Sequence, residues 1–218
     1  VERYSKEGEV ILDPMAGSGT MMLACTMGRN VLLVELEEEF CKMMRDNWAE
    51  VRMRPQLGSE MGLCDIQQGD ARKLEGLCDS IITSPPYEEA HSSKNLGGIF
   101  RDRQDLQAYS WLKSDNQNNI DNLKSDSYLE AMLQVYQQCY KVLKPQGLMI
   151  LVTKNFIRNK QIIRLDTDTI KLCEQAGFTF VERHYRKLPS QSFWRVIYHQ
   201  KHPEVEQILN EDVLVFVK

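Results

Sequence analysis

The sequence is without the marks of several protein classes. No apolar run approaches the roughly 20 residues that cross a bilayer, and the opening Val1-Glu2-Arg3-Tyr4 has nothing of a secretory leader. The six cysteines, Cys25, Cys41, Cys64, Cys78, Cys139 and Cys173, include no Cys-x-x-Cys pair and have no matching histidine nearby. They read as buried free thiols in a reducing cytoplasm, not as metal ligands or a disulfide framework. A cationic excess is missing too: 27 Lys and Arg stand against 31 Asp and Glu, a formal net charge of −4. This argues against a tight non-specific grip on nucleic acid while allowing a local basic face. There is no internal repeat. What is present suits one globular domain: 218 residues, 42% of them hydrophobic, are enough for a sizeable core with an insertion.

The chain is organised around residues 10–20, Val-Ile-Leu-Asp-Pro-Met-Ala-Gly-Ser-Gly-Thr. The apolar start is too short for a helix and suits a buried strand. Asp13 and Pro14 end it. Gly17 and Gly19, with Ala16 and Thr20 beside them, let the backbone turn sharply and let a ligand approach the main chain without meeting a Cβ. A helix is expected from Thr20 to Met27. Strand, glycine turn and helix make a nucleotide-type binding corner. A dinucleotide fingerprint fits poorly, because Met22 stands where a third small residue belongs. A phosphate-cradling P-loop is excluded by the absence of its lysine.

A second buried strand is expected at Val31–Val34, and further strands at Leu63–Gln67, Cys78–Thr83, Leu148–Thr153, Phe178–His184 and Asp212–Val217. Helices are expected over Glu37–Arg54, Ser127–Leu143 and Ile162–Ala176, with a turn at Lys144–Gly147. Phe193–His199 fits helix or strand equally. Phe40, Met43, Met44 and Trp48 fall at helical spacing and read as core packing. Strands alternating with helices give an α/β fold, a doubly wound, mostly parallel seven-stranded sheet with the last strand antiparallel. Residues 88–126 stand apart: they are rich in Ser, Asn, Asp, Gln and Lys, with scattered apolar positions. They read as a polar, mobile insertion into a single domain spanning 1–218, and such loops are uncommon unless functional.

In an open parallel sheet, ligands bind outside the carboxyl ends of the strands. Four sequence features fall there. Asp13 with the glycines ends the first strand. Glu35 ends the second, placed to accept from both hydroxyls of a ribose, although it also suits a solvated helix start. Asp70 follows the third, where its carboxylate suits an adenine amino group and the Ala71 N–H a ring nitrogen; a plain turn role competes. Ser84-Pro85-Pro86-Tyr87 ends the fourth. Two prolines directly after a buried strand stop it and fix the backbone. They turn a carbonyl outward beside a hydroxyl and an aromatic face. That set suits an exocyclic amine on a planar ring: Ser84 and the Pro85 carbonyl accept its hydrogens while Tyr87 stacks.

With these motifs together, Asp-Pro-Met-Ala-Gly-Ser-Gly-Thr at 13–20 and Thr-Ser-Pro-Pro-Tyr at 83–87, the chain resembles the S-adenosylmethionine-dependent DNA amino-methyltransferases. The resemblance implies a Rossmann-like methyltransferase fold. It also implies a cofactor site at Asp13, Pro14, Ala16, Gly17, Gly19, Thr20, Glu35, Asp70 and Ala71, and a catalytic segment at Ser84, Pro85, Pro86 and Tyr87. Members with Ser at the first position of the second motif typically make N4-methylcytosine; Asp or Asn there typically marks adenine-N6 enzymes. Ser84 therefore points to cytosine. Adenine-N6 methylation, an RNA base substrate and a non-catalytic cofactor- or DNA-binding module are the competing functions.

The glycine corner precedes Ser-Pro-Pro-Tyr, an order many members reverse, and no large target-recognition domain accompanies the sheet. Many members carry another cofactor segment ahead of the first strand. Here that strand begins near Val10 and the chain does not start with Met, so upstream residues are expected to be missing. The partner is expected to be DNA, with no membrane and no metal. Arg101, Arg103, Lys154 and Arg158 are candidate phosphate contacts. They come from two of three basic clusters: Arg101 with Arg103, and Lys154 and Arg158 with Lys160 and Arg164; the third holds Arg183, Arg186 and Lys187. Phe193 and Trp194 are candidates for a second pocket wall or for core. The target base is expected to be flipped out of a duplex or already single-stranded.

Overall fold

The fold is described from a computed structural model covering residues 1–86, 116, 118–123, 125–188 and 193–218. Seven strands form one sheet: β1 (Val10–Asp13), β2 (Asn30–Glu35), β3 (Cys64–Gln68), β4 (Cys78–Thr83), β5 (Leu143–Thr153), β8 (Thr179–Lys187) and β9 (Asn210–Val217). Their order is β3-β2-β1-β4-β5-β9-β8. The pairs from β3 across to β5 are parallel, and β9 runs antiparallel to both β5 and β8. This is the expected doubly wound, mostly parallel sheet with an antiparallel last strand.

The central strands β1, β2 and β4 read as near-continuous apolar runs because helices cover both faces, whereas the edge strands β3 and β8 are largely polar and unburied. Successive residues alternate between two cores. Ile11, Leu33, Ile82, Ile150 and Val215 face one side. The 3-10 helix Thr20–Met27 and helix α1 (Glu38–Val51) cover it with Met22, Cys25, Cys41 and Met44. Leu12, Val34, Ile81, Met149, Leu214 and Phe216 face the other. Helices α2 (Ser125–Val142) and α3 (Leu165–Gln175) cover that side with Met132, Val135, Tyr136 and Cys173. All six cysteines are free thiols, five of them buried. No helix among the described residues is long and apolar enough to cross a membrane.

Three expectations change and one open reading is decided. The turn at Lys144–Gly147 does not precede β5 but bulges within it: the register steps from Cys78 opposite Leu143 to Ser80 opposite Leu148, and Gln146 takes a φ of 64°. Lys144 is held there by an ion pair with Asp79, whose second oxygen accepts the Val10 N–H. Ile162 opens no helix. It belongs to a hairpin of β6 (Phe156–Arg158) and β7 (Gln161–Ile163), turned by Asn159 and Lys160 at φ 50° and 64°. Positive φ at both loop residues is the two-residue turn whose twist matches a hairpin. The ambiguous stretch from Phe193 is helical, α4 (Phe193–Lys201). Finally, the last part of the polar excursion joins the core, because Ile120 is buried and Leu123 packs behind it.

Candidate active site

Strand order reverses between β1 and β4, the position where open α/β sheets leave a crevice. The carboxyl ends of β1, β2, β3 and β4 surround one cavity of about 210 Å3 there. Pro14, Met15 and Gly17 form the β1 wall. Gly17 has a φ of +52°, and a Cβ added to it would meet nothing within 4 Å, so the backbone faces open space. Gly19, at φ +79°, serves packing instead: a Cβ there would come within 2.7 Å of Met22 and Met44. Ala16 and Gly19 are buried beneath the turn, and Thr20 is exposed outside the lining.

Glu35, at the end of β2, is tied to the glycine turn. Its Oε2 accepts the Gly17 N–H at 2.8 Å and its Oε1 accepts the Glu37 N–H at 3.0 Å. Each carboxylate oxygen keeps acceptor capacity for a further donor. Beyond β3, Gly69, Asp70 and Ala71 form the next wall. Asp70 caps the short 3-10 turn Ala71–Lys73 by accepting the Arg72 N–H at 2.9 Å. The Arg72 side chain also chelates the carboxylate, with Nη2 2.7 Å from Oδ2. Partial burial pushes the Asp70 carboxyl up, but the hydrogen bonds from Arg72 outweigh it and hold the group below its ordinary range.

Asp13 lies under the site. It is 7% exposed, and burial pushes its carboxyl up to about 6. Thr83 and the Met15 N–H, 3.3 Å away, act against that shift, and the charge of Glu35 adds to it. The Thr83 hydroxyl pulls the value down without making a hydrogen bond of full geometry.

At the end of β4, Ser84 and Pro86 line the cavity and Pro85 is buried behind them. The exposed Ser84 hydroxyl donates to the Val152 carbonyl in β5 at 3.1 Å. Its hydrogen is thereby committed, and its lone pairs remain. The Pro86 carbonyl accepts from Tyr128 of α2 at 2.7 Å, which fixes the segment from behind. Tyr87, Arg101 and Arg103 lie outside the described residues.

Sequence reasoning missed a further side. Asn118, Asn119 and Ile120 line the cavity, and so does Phe40 of α1, read from its spacing as core. Asn119 donates to Glu37 at 2.9 Å and Arg72 donates to the Asn118 carbonyl at 3.1 Å. The hydrophobic pair Ile120 and Leu123 was the signal that this stretch returns to the core. Lys154 follows β5 and Arg158 ends β6, on the same edge of the sheet as the cavity. The neighbouring cations are engaged: Lys160 with Glu204, Arg164 with Asp166, Arg183 with Asp166 and Asp212, and Arg186 with Glu211. The side chains of Phe193 and Trp194, at the start of α4, are not among those described.

The cavity's charge narrows the ligand. Among the described residues that line it, Glu35, Glu37 and Asp70 are acidic and none is Lys or Arg. An anionic phosphate is disfavoured. The acidic lining suits a positively charged guest.

A methyltransferase dependent on S-adenosylmethionine from Methanosarcina mazei superposes with a TM-score of 0.61 at 12% identity, over 100% of this chain and 95% of its own. TrmN from Thermus thermophilus gives 0.53 at 17% identity, over 97% of this chain and 44% of its own. Magnesium protoporphyrin IX methyltransferase from Synechocystis, solved with the cofactor bound, gives 0.54 at 12% identity, over 97% of this chain and 71% of its own. At these identities the likeness is one of fold. No curated protein matches by sequence. The N6/N4 methyltransferase family, described as DNA methylase, matches residues 1–46 and 78–213. The chain therefore belongs to the N6/N4 methyltransferase family of DNA methylases, and is a methyltransferase that uses S-adenosylmethionine.

Proposed function

We propose that this protein methylates the exocyclic amino group of a DNA base, with cytosine N4 as the target atom, and that the cavity at the ends of β1–β4 holds the methyl donor. One observation carries the reading: Ser84, at the mouth of that cavity, gives its hydroxyl hydrogen to the Val152 carbonyl. The side chain is left as an acceptor, which is what an amino group requires.

Glu35 takes the ribose hydroxyls, Asp70 and Ala71 the adenine edge, and the Gly17 backbone closes against the ligand. Asp13, under the turn, adds negative potential below a cationic guest. When bound, S-adenosylmethionine supplies a methyl carbon made electrophilic by the adjoining sulfonium. The rest is positioning by the chain. The nitrogen of a base amine has its lone pair delocalised into the ring. Ser84 Oγ and the Pro85 carbonyl accept its two N–H groups and turn that lone pair out of the ring plane toward the cavity. The same acceptors stabilise the positive charge that grows on nitrogen, so catalysis is orientation plus electrostatics. Tyr87 is assigned the face of the base. Lys154 and Arg158, with Arg101 and Arg103, are assigned to phosphates. The insertion at about 88–126 is assigned to DNA, and the free thiols suit a reducing cytoplasm. A base inside a duplex is out of reach, so the target leaves its stack.

Incubation with labelled cofactor and unmethylated mixed-sequence DNA, followed by mass analysis of the nucleosides, tests this. N4-methylcytosine is expected. N6-methyladenine alone rejects the cytosine assignment, and label taken up by RNA but not by DNA rejects the DNA substrate.

A further inference from the structure

Strands β8 and β9 leave a polar cavity of about 230 Å3 where β9 begins. It opens on the same edge of the sheet as Ser84, because β9 runs antiparallel to β5 and starts beside that strand's carboxyl end. Val213 lies opposite Val152, whose carbonyl takes the Ser84 hydroxyl. Neighbouring strands lie about 4.8 Å apart, so β9, two strands from β4, is about 10 Å away along the sheet. Asp212, one residue before Val213, is 5% exposed and lines the cavity. Among the described residues its side chain accepts no hydrogen bond, and its one ion pair is with Arg183 Nε at 3.8 Å. Neither oxygen is sealed from solvent. Burial, and then the charge of Asp166, push its carboxyl up against the pull of Arg183 and Arg164. A buried carboxylate without donors is costly. This one faces a space that a donor can enter. Tyr185 lies opposite it in register, and Arg183, two residues earlier, shares that face. The Tyr185 ring is 64% exposed, with the Arg183 guanidinium 5.9 Å from its centre. The five N–H groups of Arg183 outnumber its ion pairs with Asp166 and Asp212.

This pattern of donors and acceptors defines the guest. Arg164 and Arg183 stand against Asp166, Asp212 and Glu206 in the walls, a balance that favours neither a phosphate nor a divalent cation. No group of His, Cys, Asp and Glu among the described residues is placed to hold a metal. What fits is a neutral ring with two adjacent N–H donors for Asp212, an acceptor beside them for Arg183, and a flat face for Tyr185. Among the DNA bases guanine alone has that sequence along one edge: N2–H, N1–H and O6. Adenine, cytosine and thymine each break it with an acceptor. The edge is free only in a base that has left its pair. This cavity shares no lining residue with the one at Ser84, so a base held here is not the one that is methylated. Resting on the function proposed above, we propose that the cavity at the start of β9 reads an unpaired guanine near the methylated base. Asp212 takes its N1–H and N2–H, Arg183 gives to its O6, and Tyr185 stacks on the ring. Such a guanine has two sources: a flanking position on the same strand, or the partner abandoned by a flipped cytosine.

DNA carrying 6-thioguanine, irradiated on the protein and mapped by peptide mass spectrometry, tests the occupant directly. A cross-link to the peptide holding Arg183 and Tyr185 is expected. If single strands give it, the guanine is a flanking one; if duplexes alone give it, the guanine is the abandoned partner. Unlabelled mixed-sequence DNA of the same form then competes for that cross-link. Replacing its guanines with inosine, which lacks N2–H, is expected to weaken competition about tenfold, the loss of one bond to a charged group. DNA with 7-deazaguanine, altered on the opposite edge, is expected to compete in full. In Asp212→Ala the cross-link is expected to fall about tenfold, with inosine competing as well as guanine. Unchanged affinity for S-adenosylmethionine in calorimetry reports an intact fold, and Asp212→Asn takes the place of the alanine variant if that one is misfolded. Cross-links confined to other peptides, equal competition by inosine and guanine on the wild type, or a loss with 7-deazaguanine would overturn the proposal. The cross-link and the competition need no turnover. If both behave as expected while the methyl group goes to RNA or to adenine, the functional reading fails and the guanine site stands.

Discussion

Asp13→Asn is the sharpest test of the charge buried beneath the glycine turn. The native carboxyl ionises near 6, whereas its ordinary value is 3.8. Because the folded value is the higher one, the protonated form is the one folding favours. The stability it contributes is complete below about 3.8 and is lost as pH rises through about 6. Against the protonated state, linkage gives a penalty of about 1.6 kcal/mol at pH 5 and about 3 kcal/mol at pH 8. Asparagine keeps an oxygen for the Met15 N–H and carries no charge at either pH. The variant is therefore expected to gain on the wild type by about 1.4 kcal/mol between pH 5 and pH 8. For a chain of this size that widens the gap in Tm by roughly 3–6 °C. Thermal or urea unfolding of both proteins across that pH range reads it directly. Parallel stability curves would show that Asp13 is not buried as a strained anion. If the variant is more stable at pH 8 yet binds the cationic methyl donor more weakly, the charge is retained for the ligand at the expense of the fold.

Three further outcomes follow from the site. Gly17→Val places a β-branched residue at φ +52° in the open wall; it is expected to lose cofactor affinity in calorimetry, and equal affinity would remove Gly17 from the site. Ser84→Ala deletes an acceptor and is expected to lower kcat by about 10²-fold with cofactor affinity intact; a wild-type rate would sink the role given to Ser84. Tyr128→Phe leaves the Pro86 carbonyl without its 2.7 Å partner, which is expected to cost about 1 kcal/mol in urea unfolding and more in rate than in cofactor affinity; no change in either would mean that the tie does not position the segment.

Most of the sheet was legible because buried parallel strands are written as short apolar runs cut by Gly, Pro or acid, as at 10–13, 30–35 and 78–83. The site followed from those cuts: Gly17, Glu35, Asp70 and Ser84 each stand where a strand stops, and the sheet brings them to one cavity. The hairpin at 156–163 was missed because Ile162 and Ile163 suit the start of a helix as well as a strand. The Asn159–Lys160 turn that decides between them carries no glycine. Phe40 was misread because a helix residue beside an apolar stripe can point into the core or into a crevice at its margin, and spacing does not separate the two. Asn118 and Asn119 were hidden in a polar tract; only their tertiary partners, Glu37 and Arg72, make them part of a wall.

The bond between Tyr128 and Pro86 has an evolutionary consequence. With the tie of Asn119 to Glu37 and that of Asn118 to Arg72, it fixes both the point where the chain leaves the sheet after β4 and the point where it returns. Whatever lies between starts and ends at places the core has already set. Closing a longer connection between fixed ends is thermodynamically cheap, about 0.6 kcal/mol for each doubling of length. Descent can therefore lengthen, shorten or exchange that piece while the walls of the cavity stay where the core holds them.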